Sequence, residues 1–218
     1  MKKIYLLIIV LVIIGAFFIV LRSPFRVVNN EENLFNMIPP ADFNELQLGR
    51  FNENLTILKE MYEENKDDPQ FWIGLGNLKS SIRDYQGAIV AYQKCLEIDL
   101  VNIVANINIA DIYERNLNDF PKAEEYYKKA IEVSSNNYDF YERLARLYFL
   151  KMNRMEDAEK VLLGGLEKTN NNPFLLVSLI NFYNRYNRIE DKIKYIKILL
   201  ELYPEEEVYQ REYLEYVQ

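Results

Sequence analysis

FWIGLGNLKSSIRDYQGAIVAYQKCLEIDLVN, residues 71–102, is the stretch that decides the fold. Its first part carries apolar residues three and four apart, at Trp72, Leu75 and Leu78, the spacing of one helix face. Arg83-Asp84 interrupts the pattern with polar turn formers, and Ala88, Tyr92 and Cys95 then open a second periodic run. The unit returns with a period of about 34 to 35 residues. Asn106, Ile109, Ala110, Tyr113, Ala123, Tyr127 and Ala130 hold the matching places in a second copy. Tyr141, Leu144, Ala145, Tyr148, Ala158 and Leu162 follow in a third, and Leu176, Leu179, Tyr183 and Ile196 in a fourth. A helix pair of this length cannot bury its apolar face alone, so neighbours must stack into one continuous core.

The aromatic residue, the Leu75-Gly76 pair, the small Ala88, the aromatic Tyr92 and the small Cys95 together resemble a tetratricopeptide repeat. The resemblance covers Pro69 to Pro204 well and residues 41–68 more weakly. It implies an all-α fold, a right-handed superhelix of antiparallel helix pairs whose inner groove binds peptides or other proteins. Gly76, Ala110 and Ala145 in the first helices are expected to face Ala88, Ala123 and Ala158 in the second, letting two backbones approach closely. The turns fall at Arg83-Asp84, Asn116 to Asp119, Asn153-Arg154 and Asn187-Arg188. Copies two and three hold one extra residue there, expected in a surface loop. Lys79 and Leu100 depart from the pattern. So do Ile180 and Lys192 in copy four, whose helix pair is expected to splay with the Lys192 ammonium in water.

The expected organisation is an N-terminal flank (1–3), an apolar segment (4–21), a linker (22–40) and a degenerate leading repeat (41–68). Repeats at 69–102, 103–137, 138–172 and a divergent 173–204 follow, then a capping helix at 205–218. Residues 4–21, IYLLIIVLVIIGAFFIVL, carry no charge, and as a helix would extend about 27 Å, near the thickness of a bilayer's hydrocarbon core. They read as a transmembrane signal anchor. A cleavable signal peptide competes, but the flank Val20-Leu21-Arg22-Ser23-Pro24 shows no small-x-small site. Lys2 and Lys3 against Arg22 and Arg26 favour an inside N-terminus. The expectation is a single-pass protein of a bacterial inner membrane with the repeats outside the cytoplasm.

The 26 basic and 33 acidic side chains give a net charge of −7, which argues against nucleic acid as a partner. No histidine exists anywhere in the chain, which removes histidine general bases, triads and histidine metal sites. No phosphate loop, GxGxxG or CxxC is present, so neither enzyme chemistry nor a cofactor or metal is expected. Cys95 stands alone and reads as a small core residue.

The resemblance places the groove lining on the first helix of each copy. The candidates are Ile73 and Asn77 in copy one, and Val104, Ile107 and Asp111 in copy two. Glu142, Arg146 and Phe149 follow in copy three, and Phe174, Val177, Asn181 and Arg185 in copy four. The apolar members would form a strip on a concave surface, the usual mark of a partner site, unless the chain's own linker covers it. The expected function is a membrane-anchored scaffold that binds a protein or peptide, in envelope assembly or secretion. The alternatives are an accessory subunit positioning a cell-wall or polysaccharide enzyme and, more distantly, a free-standing hydrolase. Some relatives grip a carboxylate with two lysines, two asparagines and an arginine. Asn77, Asn108 and Arg143 match three of those places, but Ile73 and Asp139 stand where the lysines should be.

Overall fold

A computed structural model describes residues 34–216. A long helix leads, α1 (Glu45–Asn65), started by a reciprocal pair of hydrogen bonds between Asn44 and Gln47. Four helix pairs follow: α2 (Pro69–Ser81) with α3 (Tyr85–Ile98), α4 (Ile103–Ile112) with α5 (Phe120–Val133), α6 (Tyr138–Arg146) with α7 (Met155–Lys168), and α8 (Pro173–Arg185) with α9 (Ile189–Leu202). A short α10 (Glu207–Tyr213) ends in a 3₁₀ turn, Leu214–Tyr216. Each helix packs on the next along the chain, and α6 also touches α8. This is the all-α solenoid of stacked helix pairs that the period requires.

Local chemistry starts each pair in the same way. Asp68, Asn102, Asn137 and Asn172 stand just before α2, α4, α6 and α8, and each side chain accepts a backbone N–H of the first turn. Pro69 and Pro173 occupy the first helical position, where the missing N–H costs nothing. Inside, one hydrophobic core runs from Ile73 to Tyr213 through all four pairs. Ala88, Ala110, Ala123, Ala145 and Ala158 are fully buried, and Gly76 lies directly against the Tyr92 ring. The largest buried side chains are Tyr92, Tyr127, Tyr148 and Tyr183, and each hydroxyl finds an acceptor. Without one, burying a hydroxyl would cost about 1–3 kcal/mol.

The extra residue of copies two and three does not loop out. It is wound into a wider helical turn, Tyr113–Leu117 after α4 and Leu147–Lys151 after α6. In copies one and four the turn closes with Asp84 N–H on the Lys79 carbonyl and Arg188 N–H on that of Tyr183. In copies two and three the closing bonds reach one residue further, from Asp119 to Tyr113 and from Arg154 to Tyr148. A π-type turn absorbs one residue without breaking the hydrogen-bond ladder, which a loop would do. All four turns then pass through a left-handed residue, at Arg83, Asn118, Asn153 and Asn187.

Two further expectations are corrected. The fourth pair does not splay: Ile180 is buried, and so is Lys192. The Lys192 ammonium donates to Asn184 Oδ1 at 3.0 Å and lies 3.8 Å from the centre of the Tyr216 ring. A flexible four-carbon stem lets the charge find both partners without leaving the core edge.

The localisation is corrected as well. No helix among the described residues is long and apolar enough to cross a membrane. Even α1, with 21 residues, carries seven charged side chains. Residues 4–21, on which the expectation of an inner-membrane protein rested, lie outside the described residues.

Candidate functional site

The twelve candidate groove residues do not share one surface role. Ile73 is 8 % exposed and belongs to the core. Val104 and Phe174 are exposed, and the Phe174 ring stacks on Tyr138 at 5.0 Å. Ile107 and Val177 are half-buried and pack against the core. Asn77 accepts the Tyr92 hydroxyl at 2.7 Å and an Asn108 N–H at 3.2 Å. Burial pushes the Tyr92 phenol up to about 12.

Asp111 is bound to structure rather than offered to a ligand. It lies 2.7 Å from the Tyr127 hydroxyl, which also stands 2.6 Å from Glu114, and it takes the Arg143 guanidinium at 3.1 and 3.2 Å. Burial and then the two carboxylates push the Tyr127 phenol well above its ordinary range. Asp139 holds the same Arg143 at 2.6 Å. An arginine already neutralised by two aspartates is no carboxylate receptor, so these residues do not form the clamp.

Glu142, Arg146, Phe149, Asn181 and Arg185 come together. With Ala145, Leu162, Ser178 and Phe182 they line an open pocket of about 260 Å³ between α6, its π turn, α7 and α8. Its apolar floor is built on Phe149 and Phe182, edge to face at 6.1 Å. Its rim is cationic. Arg146 stands a loose 3.8 Å from Glu142, and its side chain is 52 % exposed. Arg185 is exposed in the last turn of α8 and has no ion-pair partner among the described residues. Sequence reasoning missed Phe182 and Ser178. Phe182 follows Leu78, Ile112 and Leu147 in the repeat register, so it reads as one more core residue. Only the widened π turn, which carries Phe149 toward it, sets Phe182 apart.

Among the described residues, no group of three or more potential ligands is placed to hold a metal. Cys95 is buried, which pushes its thiol up to about 11 and keeps it unreactive.

Two family models described as tetratricopeptide repeat match the chain, one over residues 69–102 and another over 116–181. The chain carries tetratricopeptide repeats over those residues. Solved structures share the fold. YrrB, described as a repeat protein of this type with an unusual peptide-binding site, is 20 % identical over 70 % of this chain and 77 % of its own, with a TM-score of 0.51. MamA from Desulfovibrio magneticus RS-1 is 17 % identical over 74 % of this chain and 90 % of its own, with a TM-score of 0.56. The pilF protein of Pseudomonas aeruginosa is 16 % identical over 72 % and 70 %, also at 0.56. At such identities the likeness speaks for the fold alone. No curated protein matches the sequence.

Proposed function

We propose that this protein is an interaction scaffold that binds an extended segment of a partner protein along its first-helix face, anchored in the pocket of the third and fourth repeats. The observation that carries this reading is the pocket's composition. An apolar floor of Phe149, Phe182, Leu162 and Ala145 suits one aliphatic or aromatic side chain. Arg146 and Arg185 at the rim suit an acidic residue beside it, with Asn181 and Ser178 available to the peptide backbone. Peptide binding described for YrrB, which has the same fold, supports the reading.

A display library of random peptides panned against the full chain tests it. The enriched sequences should pair an apolar residue with a neighbouring Asp or Glu. Binding should weaken at least tenfold in Phe149→Ala and in Arg185→Glu, while both variants keep the wild-type melting temperature within a few degrees. Peptides whose affinity ignores both substitutions would place the binding face elsewhere.

A further inference from the structure

A phenol closes each of the first two junctions between repeats on the first-helix side. Tyr92 on α3 donates its hydroxyl to Asn77 Oδ1 on α2 at 2.7 Å, and Asn108 of the next repeat donates to the same oxygen at 3.2 Å. One repeat on, the Tyr127 hydroxyl of α5 lies 2.7 Å from Asp111 on α4, and Arg143 of the following repeat donates to that carboxylate at 3.1 Å. In both, a buried ring from the second helix ends beside a polar group of its own first helix, and the next repeat supplies a second.

The third repeat keeps the two polar places and loses the ring. Leu162 stands in register with Tyr92 and Tyr127, Arg146 with Asn77 and Asp111, and Ser178 with Asn108 and Arg143. All three line the open pocket of about 260 Å³ between the third and fourth repeats. Phe149 lines it too, and its counterpart in the second repeat, Glu114, lies 2.6 Å from the Tyr127 hydroxyl. The pocket thus occupies the place that a phenol end fills in the repeats before it. It is open because leucine has no hydroxyphenyl end and serine is shorter than asparagine or arginine. The polar groups around it can be reached from solvent: the Arg146 side chain is 52 % exposed and Ser178 is half-buried.

Granted the peptide-binding function proposed above, on which this rests, we infer that the side chain the pocket selects is a tyrosine of the partner, seated where Tyr92 and Tyr127 end in the earlier repeats. Phe149 and Phe182 receive the ring, and Leu162 lies beneath it. The hydroxyl meets two partners of opposite kind. A guanidinium can only donate, so the phenol oxygen accepts from Arg146, and the Ser178 hydroxyl oxygen can accept, so it takes the phenol hydrogen. Phenylalanine fits the same floor and makes neither bond, and a site built to bond a hydroxyl discriminates against the analogue that lacks it. The neighbouring acidic residue of the peptide then pairs with Arg185, exposed at the rim.

The test titrates the full chain with three short peptides that differ at one residue, Tyr, Phe or Leu, each followed by Asp. The tyrosine peptide should bind about fivefold more tightly than the phenylalanine peptide, the ratio one hydrogen-bonded hydroxyl supplies. In Ser178→Ala that preference should vanish while the phenylalanine peptide binds as before, whereas a merely structural role for Ser178 would weaken both. Leu162→Tyr should place the chain's own phenol in the pocket, as Tyr127 does one repeat earlier, and bind none of the three. Should Leu162→Tyr not fold, Ser178→Ala decides alone. Equal or tighter binding of the phenylalanine or leucine peptide to the wild type, a tyrosine preference that survives Ser178→Ala, or undiminished binding by folded Leu162→Tyr would each overturn the tyrosine and leave the peptide-binding reading standing. No binding of any of the three peptides to the wild type would overturn that reading and the tyrosine with it.

Discussion

Between the second and third repeats, Arg154 reaches back 2.6 Å to Glu124, which also accepts the Tyr148 hydroxyl at 2.8 Å. Between the third and fourth, Arg188 reaches Glu159 at 2.6 Å, and Tyr183 donates to the same carboxylate at 2.8 Å. In both, the guanidinium lies over the tyrosine ring, at 4.4 and 4.6 Å, and is held from behind by Asp157 or Asp191. The junction between the first and second repeats has none of this. Ile89 stands in the place of the glutamate, Asp119 in that of the arginine and Lys122 in that of the aspartate. There Asp119 caps its own helix through the Lys122 N–H at 3.3 Å, whereas Arg154 and Arg188 make no capping bond.

The same position thus serves either its own helix or the repeat before it. A side-chain cap contributes about 1 kcal/mol to local helix stability. The Arg-Glu-Tyr tie contributes instead to the interface between repeats, the quantity that makes a linear array unfold as one body. The later repeats are coupled by charge as well as by core. The first junction has uncharged hydrogen bonds instead, from Asn108 to Asn77 at 3.2 Å and from Gln93 to the Tyr126 hydroxyl at 3.3 Å, beside its apolar contact.

Both kinds of junction rest on one register of buried small residues, and the largest expected effect tests that shared base. Ala123→Leu and Ala145→Leu should each lower stability by about 1 to 3 kcal/mol through overpacking, since both positions are fully buried. Thermal and urea melts measure it. An unchanged melting temperature would mean that the repeats are aligned wrongly, and the comparison of junctions would fall with them.

The next effect concerns the tie itself. Arg154→Ala should cost about 1–2 kcal/mol, whereas Asp119→Ala should cost about 1 kcal/mol through its cap. Both differences depend on acidity, because Lys122 also holds the Asp119 carboxyl below its ordinary value, and the tie is followed through Glu124. Burial alone would raise the Glu124 carboxyl, but hydrogen bonds from Lys128 and Tyr148 and the charges of Lys128 and Arg154 outweigh it and hold it below 4.5. A carboxyl lowered in the folded state contributes stability above its unfolded value and loses it as pH falls through the folded one. The gap between wild type and Arg154→Ala should therefore be widest near neutrality and narrow below pH 4.5. A gap independent of pH would show that Arg154 acts through packing on Tyr148 alone.

What the sequence allowed to be read follows from which interactions are periodic. The helix pairs, the buried alanines and the polar turns recur at fixed spacing, so one chain displays them. The Glu124–Arg154 and Glu159–Arg188 ties recur too, from the extra residue's side of the register, but charged pairs thirty residues apart look like solvated surface until the fold brings them together. The π turns were hidden because an added residue reads as loop length, not as helix width. Ile73 is buried in the core rather than offered on the groove, which the periodicity of a single helix face does not show. The burial of Lys192 depends on Tyr216, from a different element altogether.

A smaller effect separates two adjacent glycines of α7. A Cβ on Gly165 would press into the Tyr141 ring at 2.7 Å and against Leu175 at 2.9 Å, whereas one on Gly164 would meet nothing within 4 Å. Gly164→Ala should stabilise by about 1 kcal/mol through helix propensity. Gly165→Ala should destabilise despite the same propensity gain, because it wedges the third repeat from the fourth. Equal and opposite shifts in urea midpoint are not required, but the signs are. A stabilising Gly165→Ala would mean that this junction is looser than its ties imply.

The smallest effect lies at the first turn. Asn118, Asn153 and Asn187 hold the left-handed place in three copies, and Arg83 holds it in the first, at φ 66°. Asparagine tolerates that conformation better than a long side chain, because its short polar group bonds locally. Arg83 gains instead an exposed pair with Asp42 at 2.7 Å, which connects the first turn to the segment before α1. Exposed pairs contribute little and are screened by salt. Arg83→Asn should therefore raise the urea midpoint slightly with an unchanged slope, and the gain should be larger at high salt, where the lost pair matters least. A loss of stability at every salt concentration would show that the Arg83–Asp42 pair holds the leading segment onto the stack. The first repeat would then have an ionic tie of its own, on its opposite side from the junction where the later repeats have theirs.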